Sequence, residues 1–594
     1  MNDEVKIGSR TSMGSAPFIV GVTGHRDLHP HELPLLRAAV TDFLHQLKAR
    51  LPDTELRVAV GMAEGADLLV AETAVDLGFG VNAMLPMPLA QYAADFEPDA
   101  LESMKVLLRH PLVDCVELLP ISGREGATGM LRMPKQRDAT YANLTEMLIQ
   151  RTSLLLALWD GQSSPLPGGT ADTVLRYLGL RAKQDTHASN VVFVDEPTHV
   201  DSDAQPVFWI PAGRTSGDDT AAELGQPCFL SGIGDNGLLM RQAMPAELEH
   251  QLTELNEYNR EFHRLTTRGG LKRLDSLMAT LPADLPLHGR ATLAQIDAEY
   301  GRADLLAVHY QKRSDRLFGF FSLTTFIMAI TYISYERLSE TQLLLYAYLL
   351  FLLSGLGLYF LLHGRRWFAK HLMYRVLAET MRAKFFLRLS GADHLVDAQE
   401  VLSLSGIDRF HGFGWIGYVL KSIEPADAGS MGREPSAHES SSVERAWIQH
   451  QENYFIKKVA RLERNSRRIG WFKNSVFVIV MLVVLTLIMF DEFVHHTQVG
   501  SLPLRRLLTF FMGFGTVLFG VWELHQNKMA SRELLWQYRN QLSHFSRARA
   551  QLARTTAWSK RREILAALGK DSLMESCLWT IHRYHREHEP PATT

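Results

Sequence analysis

The chain has 594 residues, too many for one hydrophobic core, so three or four folded units are expected. Its formal charge of -3 excludes a general nucleic-acid footprint. Cys115, Cys228 and Cys577 lie too far apart for a disulfide framework or a metal knuckle, as in a reducing compartment. Residues 1–16 are polar and rich in Ser and Gly, with no apolar signal core, and are expected to form a disordered tail.

Phe18 to Val22 reads as a buried strand running into Thr23-Gly24-His25-Arg26, and the apolar spacing from Leu33 to Leu51 predicts the next helix. A Gly at such a turn lets backbone N–H groups approach an anion, and the helix N-terminus adds partial positive charge. Arg26 offers a planar fork for a phosphate or carboxylate. A second strand, Leu56–Val60, leads into Gly61-Met-Ala-Glu64-Gly65-Ala-Asp67 and a helix over Leu68–Leu77 that stops at Gly78. Further strands are predicted at Val81–Leu85, Leu112–Leu119, Arg151–Trp159, Asn190–Val194 and Val207–Ile210. The strand ending at Trp159 delivers Asp160-Gly161 and then Pro167-Gly168-Gly169-Thr170, ahead of a helix over Ala171–Leu178. The alternation predicts an α/β, Rossmann-like, mostly parallel sheet over residues 17–232, whose ligands sit at the carboxyl ends of strands. Several of these residues have two readings. His25 packs or touches ligand, Asp67 caps a helix or faces the site, and Trp159 is core or a stacking platform.

Residues 240–315 turn helical, with Leu248, Leu252, Leu255, Tyr258 and Phe262 on one face, and are expected to couple the first domain to the membrane. Four stretches then lack Asp, Glu, Lys and Arg: Leu317–Tyr335, Thr341–Gly364, Asn474–Phe490 and Leu507–Trp522. Their length and uniform apolarity predict four transmembrane helices in two hairpins, 316–364 and 471–523. Lys312, Arg313, Arg316, Arg365, Arg366 and the basic run Lys457–Lys473 flank the spans, which places both termini and the middle segment on the cytosolic side. Residues 365–423 are expected to be cytosolic helices, 424–446 a disordered loop, 447–470 a cytosolic helix and 524–594 cytosolic C-terminal helices. Ser322, Thr324, Thr325, Ser354 and Thr509 are too few to line a pore, so any conduit requires a homo-oligomer.

Taken together, Val22-Thr-Gly-His-Arg26, Glu64-Gly-Ala-Asp67, Leu85-Pro86, Tyr92 with Asp95-Phe96, Trp159-Asp-Gly161 and Gly168-Gly-Thr170 resemble a SLOG domain. This is the Rossmann-like superfamily shared by DNA-processing proteins and cytokinin-activating phosphoribohydrolases. The resemblance spans Pro17 to Arg214. It implies a nucleotide-derived small molecule held by Thr23, Gly24, His25, Arg26, Gly61, Glu64, Gly65, Asp67, Trp159, Asp160, Gly168, Gly169 and Thr170. Tyr374–Arg382 resembles the small SLATT membrane effector domains of bacterial conflict systems, and Tyr538-Arg539 after the fourth span hints at a looser second copy.

The hydrolase branch of SLOG carries Pro-Gly-Gly-x-Gly-Thr-x-x-Glu, with Glu as catalytic acid and base. Here the loop continues Thr170-Ala-Asp172-Thr173-Val-Leu175, without that Glu, so a binder is expected rather than an enzyme. The resemblance therefore implies a bacterial inner-membrane effector that senses a nucleotide signal and disrupts the membrane, in anti-phage defence. Its partners would be the ligand, the bilayer and further copies of itself. No cofactor, metal set or nucleic-acid partner is expected. The alternative is a membrane-anchored nucleotide hydrolase using Glu64, Asp67 or Asp160.

Overall fold

The computed structural model describes residues 15–118, 134–164, 168–180, 192–195, 205–217, 225–233, 237–268, 274–283, 285, 287, 289–410, 412–423, 434–529 and 531–588. They form two compact units. The first draws on 1–273, 286–299 and 398–433, and the second on 274–285, 300–397 and 434–594.

The first unit is built on a nine-stranded sheet of β1 (Phe18–Gly24), β2 (Leu56–Val60), β3 (Gly80–Leu85), β4 (Val113–Glu117), β5 (Leu154–Trp159), β6 (Val192–Asp195), β7 (Val207–Pro211), β8 (Cys228–Ile233) and β9 (Gly237–Arg241). The order is β4-β3-β2-β1-β5-β7-β8-β9-β6. The six strands from β4 to β7 are all parallel, whereas β7-β8-β9 are antiparallel and β6 pairs parallel with β9. A mostly parallel sheet is as expected; the β8–β9 pair, which displaces β6 to the far edge, was not legible in the alternation.

Side-chain parity shows why the central strands read as continuous apolar runs. Val22 pairs with Leu156 and Leu156 with Phe208, so these share a face, where Phe43 of α1 (Leu33–Arg50) stacks on Phe208 at 4.0 Å. Ile19 and Leu155 point the other way. They pack near Leu148 of α5 (Pro134–Arg151) and near Val174 and Tyr177 of α6 (Thr170–Tyr177). Between these in sequence lie α2 (Ala66–Asp76), α3 (Leu89–Tyr92) and α4 (Pro98–Leu108). Helices on both faces leave the strands no polar side. Strands β1 to β4 step outward in one direction and β5 begins on the opposite side of β1, so the switch point lies between the ends of β1 and β5.

Three linear boundaries are corrected. Ala16 is not part of a loose tail: it is buried, its N–H donates to Asn259 Oδ1 (2.9 Å), and its carbonyl accepts from Asn259 Nδ2 (3.0 Å). Helix α7 (Ala246–Arg268), expected as a coupling element, belongs to the sheet unit. Its Asn256 accepts from the Asp53 N–H at 2.8 Å, and Asn259 donates to Thr54 Oγ1 at 2.9 Å. The segment Trp415–Ser422, expected among the cytosolic helices after the second span, also returns to the sheet unit. Tyr418 packs edge-on against Phe18, and the Lys421 ammonium donates to the Thr152 carbonyl at 2.9 Å.

The second unit is helical. Four of its helices are long and apolar enough to cross a membrane: Arg290–Arg337, Gln342–Arg365, His450–Met489 and Leu504–Met529. Leu343, Leu350, Phe360, Phe477, Leu482 and Ile488 on these helices are exposed, a surface that water would not tolerate and lipid would cover. Outside the apolar stretches, Phe386 of Trp367–Leu389 stacks on Trp447 at 5.4 Å, and Phe545 of Ser531–Leu552 closes on Trp447 at 6.2 Å. Of the loop expected over 424–446, residues 424–433 lie outside the described residues. Ala437–Val443 is helical, because Ser436 and Glu439 form a reciprocal capping box over buried Glu439, Ser442 and Val443.

Candidate functional site

A cavity of ≈ 300 Å³ opens at the carboxyl ends of β1, β2 and β5, at the switch point. Thr23, Gly24, His25, Arg26, Gly61, Asp67, Trp159, Asp160, Gly168, Gly169 and Thr170 all line it. Eleven of the expected residues, from three strand-to-helix connections spread over about 150 positions of chain, are thus brought together. Glu64 and Gly65 are not among its lining residues.

Gly65 serves geometry instead. It sits at φ +80°, and a Cβ there would lie 2.3 Å from the Arg26 carbonyl oxygen. That close approach lets the Ala66 N–H donate to the His25 carbonyl at 3.0 Å, tying the start of α2 to the β1 turn. Trp159 resolves toward core: it is 0 % exposed, donates its indole N–H to the Gln162 carbonyl (3.0 Å) and meets Trp209 edge-on, which leaves no ring face for a base. The Gly168 loop is also partly spoken for, since the Gly168 N–H donates to Asp172 Oδ2 at 2.9 Å while Arg176 donates to Asp172 Oδ1 at 3.0 Å. An anion there would have to use the N–H groups at the start of α6, whose N-cap, Gly169, makes no side-chain cap.

The polar groups fall into two clusters. In one, the His25 N–H donates to the Leu158 carbonyl (3.1 Å), and its Nε2 lies 3.0 Å from the Asp160 amide nitrogen and 3.1 Å from Asp160 Oδ1. One ring nitrogen can serve only one of these at a time: unprotonated it accepts the amide, protonated it pairs with the carboxylate. Burial raises the Asp160 carboxyl, but His25, the Gln162 N–H and Arg214 together hold it below the usual range. In the other, burial pushes Asp67 up to about 7, against the Ala63 N–H (3.1 Å to Oδ2), the charge of Arg26 and the Gly61 backbone. The Arg26 guanidinium lies 5.5 Å from the Tyr141 ring centroid, and the Tyr141 hydroxyl donates to Asp95 (2.6 Å), which also takes Arg137. Tyr92 donates to the Gly61 carbonyl at 3.1 Å.

Sequence reasoning missed Arg214, Tyr141 and Asp27. Arg214 reaches the cavity from beyond β7, held by Asp27 Oδ1 at 3.3 Å and by the bridge between Leu28 and Arg214. Tyr141 stands on α5, a helix that the apolar spacing did not reveal. The cavity thus combines two cations, a buried carboxyl that takes up a proton near neutrality, aromatic edges and a helix N-terminus, a set suited to a small organic anion. No protein-family model, curated protein or solved structure matches this chain.

Proposed function

We propose that this protein is a membrane-embedded sensor whose sheet unit binds a nucleotide-derived small molecule of the SLOG ligand type. Its apolar helices, arranged as two hairpins with both termini cytosolic, would disturb a bacterial inner membrane in response, as a SLATT-like defence effector. The observation that carries the binding half is the convergence of Arg26, Arg214, Asp67 and the start of α6 on one cavity at the switch point. The effector half is supported by the four apolar helices with lipid-ready surfaces and by the sequence resemblance. No cofactor takes part in this reading. Homo-oligomers supply the conduit, since the spans contain few polar positions.

The test is direct. Small molecules released from the purified full chain are identified by mass spectrometry, and the affinity of the identified compound is then measured for wild type and Arg26→Ala. Loss of one charge-assisted contact is expected to weaken binding about ten- to hundred-fold while membrane insertion stays normal. Undiminished affinity would remove Arg26 from the site, and vesicles that stay tight with protein and compound together would remove the permeabilising role.

A second reading, hydrolysis of the same class of ligand, is kept by one observation. Asp67 lines the cavity with its proton affinity raised to about 7, as a general acid needs. Of the three carboxylates considered, Glu64 does not line the cavity and Asp160 is engaged by His25, so the role falls to Asp67. Turnover lost in Asp67→Asn with binding retained would favour the hydrolase; binding without turnover in wild type would exclude it.

A further inference from the structure

The helical unit holds a cavity of its own, of ≈ 220 Å³, walled by the polar ends of Arg290–Arg337 and His450–Met489 together with Trp367–Leu389, Ser531–Leu552 and Trp558–His588. Arg375, Arg382, Lys458 and Arg583 face it, against Asp315 and Glu379. Glu379 is shared: Arg375 Nη2 lies 2.5 Å from it, and Arg382 reaches its other oxygen. Asp304 sits 3.5 Å from Arg375, and Arg382 donates to the Tyr300 hydroxyl at 2.8 Å. These contacts neutralise and orient the two arginines. Lys458 is different. Among the described residues it has no carboxylate partner, and its ammonium rests 5.3 Å from the Tyr454 ring centroid. Arg583 lies over Phe368 at 4.9 Å and over Trp579 at 5.7 Å.

A second observation points the same way. The indole N–H of Trp579, also in this wall, is buried and has no acceptor among the described residues. A buried donor without a partner is unfavourable in a folded protein, and a cavity this large holds far more than one water. Four cationic side chains face two carboxylates here, the Lys458 ammonium rests on an aromatic face, and an indole N–H waits for an oxygen. We propose that this cavity is a second ligand site, distinct from the sheet-unit cavity, that takes a phosphate group. Lys458 supplies the point charge and Trp579 a directed hydrogen bond, while the Arg375–Glu379–Arg382 network keeps the rest of the wall in place. The phosphate could arrive as a soluble anion or as the headgroup of an anionic lipid, since two wall helices, Arg290–Arg337 and His450–Met489, continue into the apolar stretches.

The test uses the full chain carrying Arg26→Ala, so that the sheet-unit cavity contributes little, in phosphatidylcholine nanodiscs at constant ionic strength. Thermal unfolding is followed against inorganic phosphate, and separately against increasing phosphatidic acid in the disc. A saturable rise in melting temperature is expected in one arm. Its half-saturation should shift about ten-fold in Lys458→Gln and likewise in Trp579→Phe, which keeps an aromatic ring and loses the N–H. A response to inorganic phosphate assigns a soluble ligand; a response to phosphatidic acid alone assigns a headgroup. Absence of a saturable response in both arms, or an equal response in both variants with unchanged ligand-free melting, overturns the proposal.

Discussion

Asp67 is one residue into α2, where a carboxylate ordinarily stabilises a helix N-terminus and stays ionised. Here it is buried beneath the cavity and its proton affinity rises to about 7, because desolvation outweighs the Ala63 N–H and the Arg26 charge. Linkage fixes the sign of the consequence. The folded state holds the proton between the ordinary carboxylate range and about 7, while the unfolded chain does not, so stability falls as pH rises through that window and is level below it. The full effect is at most roughly 4 kcal/mol at pH 8. Hydrogen exchange in β1 and α2, corrected for intrinsic rate, is therefore expected to show less protection at pH 8 than at pH 5. Asp67→Asn, which keeps an acceptor for the Ala63 N–H, should flatten that difference. A wild-type protection that does not change with pH would show that Asp67 titrates normally.

At the scale of elements, the short helix Trp415–Ser422 shows how far the chain travels to complete one core. The Lys421 ammonium is buried, donating to the Thr152 carbonyl at 2.9 Å and to Gln205 Oε1 at 2.7 Å, and lies 5.6 Å from the Tyr177 ring. Tyr418 donates to Gln251 Oε1 on α7 at 2.5 Å. Hydrogen bonds from a charged donor contribute about 1.5–3 kcal/mol, so Lys421→Met should lower the local stability of this helix by that order. Exchange over Trp415–Ser422 is expected to accelerate while β4, on the far side of the sheet order, keeps its protection. Equal protection in both proteins would mean that packing of Tyr418 and Trp415 alone holds the helix. In the helical unit a recurring arrangement stands out. Tyr374, after the second apolar stretch, packs 5.8 Å from Tyr310 before the first, and Tyr538, after the fourth, packs 5.7 Å from Phe455 before the third. The charge partners of the two Tyr-Arg pairs differ, because Arg375 pairs with Glu379 whereas Arg539 pairs with Glu463.

For the whole molecule, the exposed apolar helices set the environment. Side chains such as Leu343, Phe477 and Ile488 would make the protein insoluble unless lipid covered them. Under the proposed function, the basic flanks set the expected orientation. A reporter inserted between Ser422 and Ser436, and one fused after Thr594, are both expected to report the cytosolic side. A signal from the opposite side at either position would remove one span, with Leu504–Met529 the first to doubt because Arg505 and Arg506 stand at its start.

What the sequence determined by itself was local. Apolar runs ending in Gly, His, Asp or Thr marked β1, β2 and β5 and the loops after them, because strand ends and tight turns restrict residue type within a few positions. Long stretches without charge marked the four helices, because a bilayer demands it continuously along the chain. What tertiary structure decided was whatever depends on distant partners. Trp159 became core because Trp209 and Gln162 close over it, and Gly65 became a contact glycine because the Arg26 carbonyl comes to 2.3 Å of where a Cβ would be. Arg214 joined the cavity only through Asp27, and Asp67 acquired its raised proton affinity only through burial. Lys421 is buried because the Thr152 carbonyl, 269 residues away in the chain, accepts its hydrogen bond. Desolvation and long-range hydrogen bonding leave no periodic signature, and so they were visible only once the chain had folded.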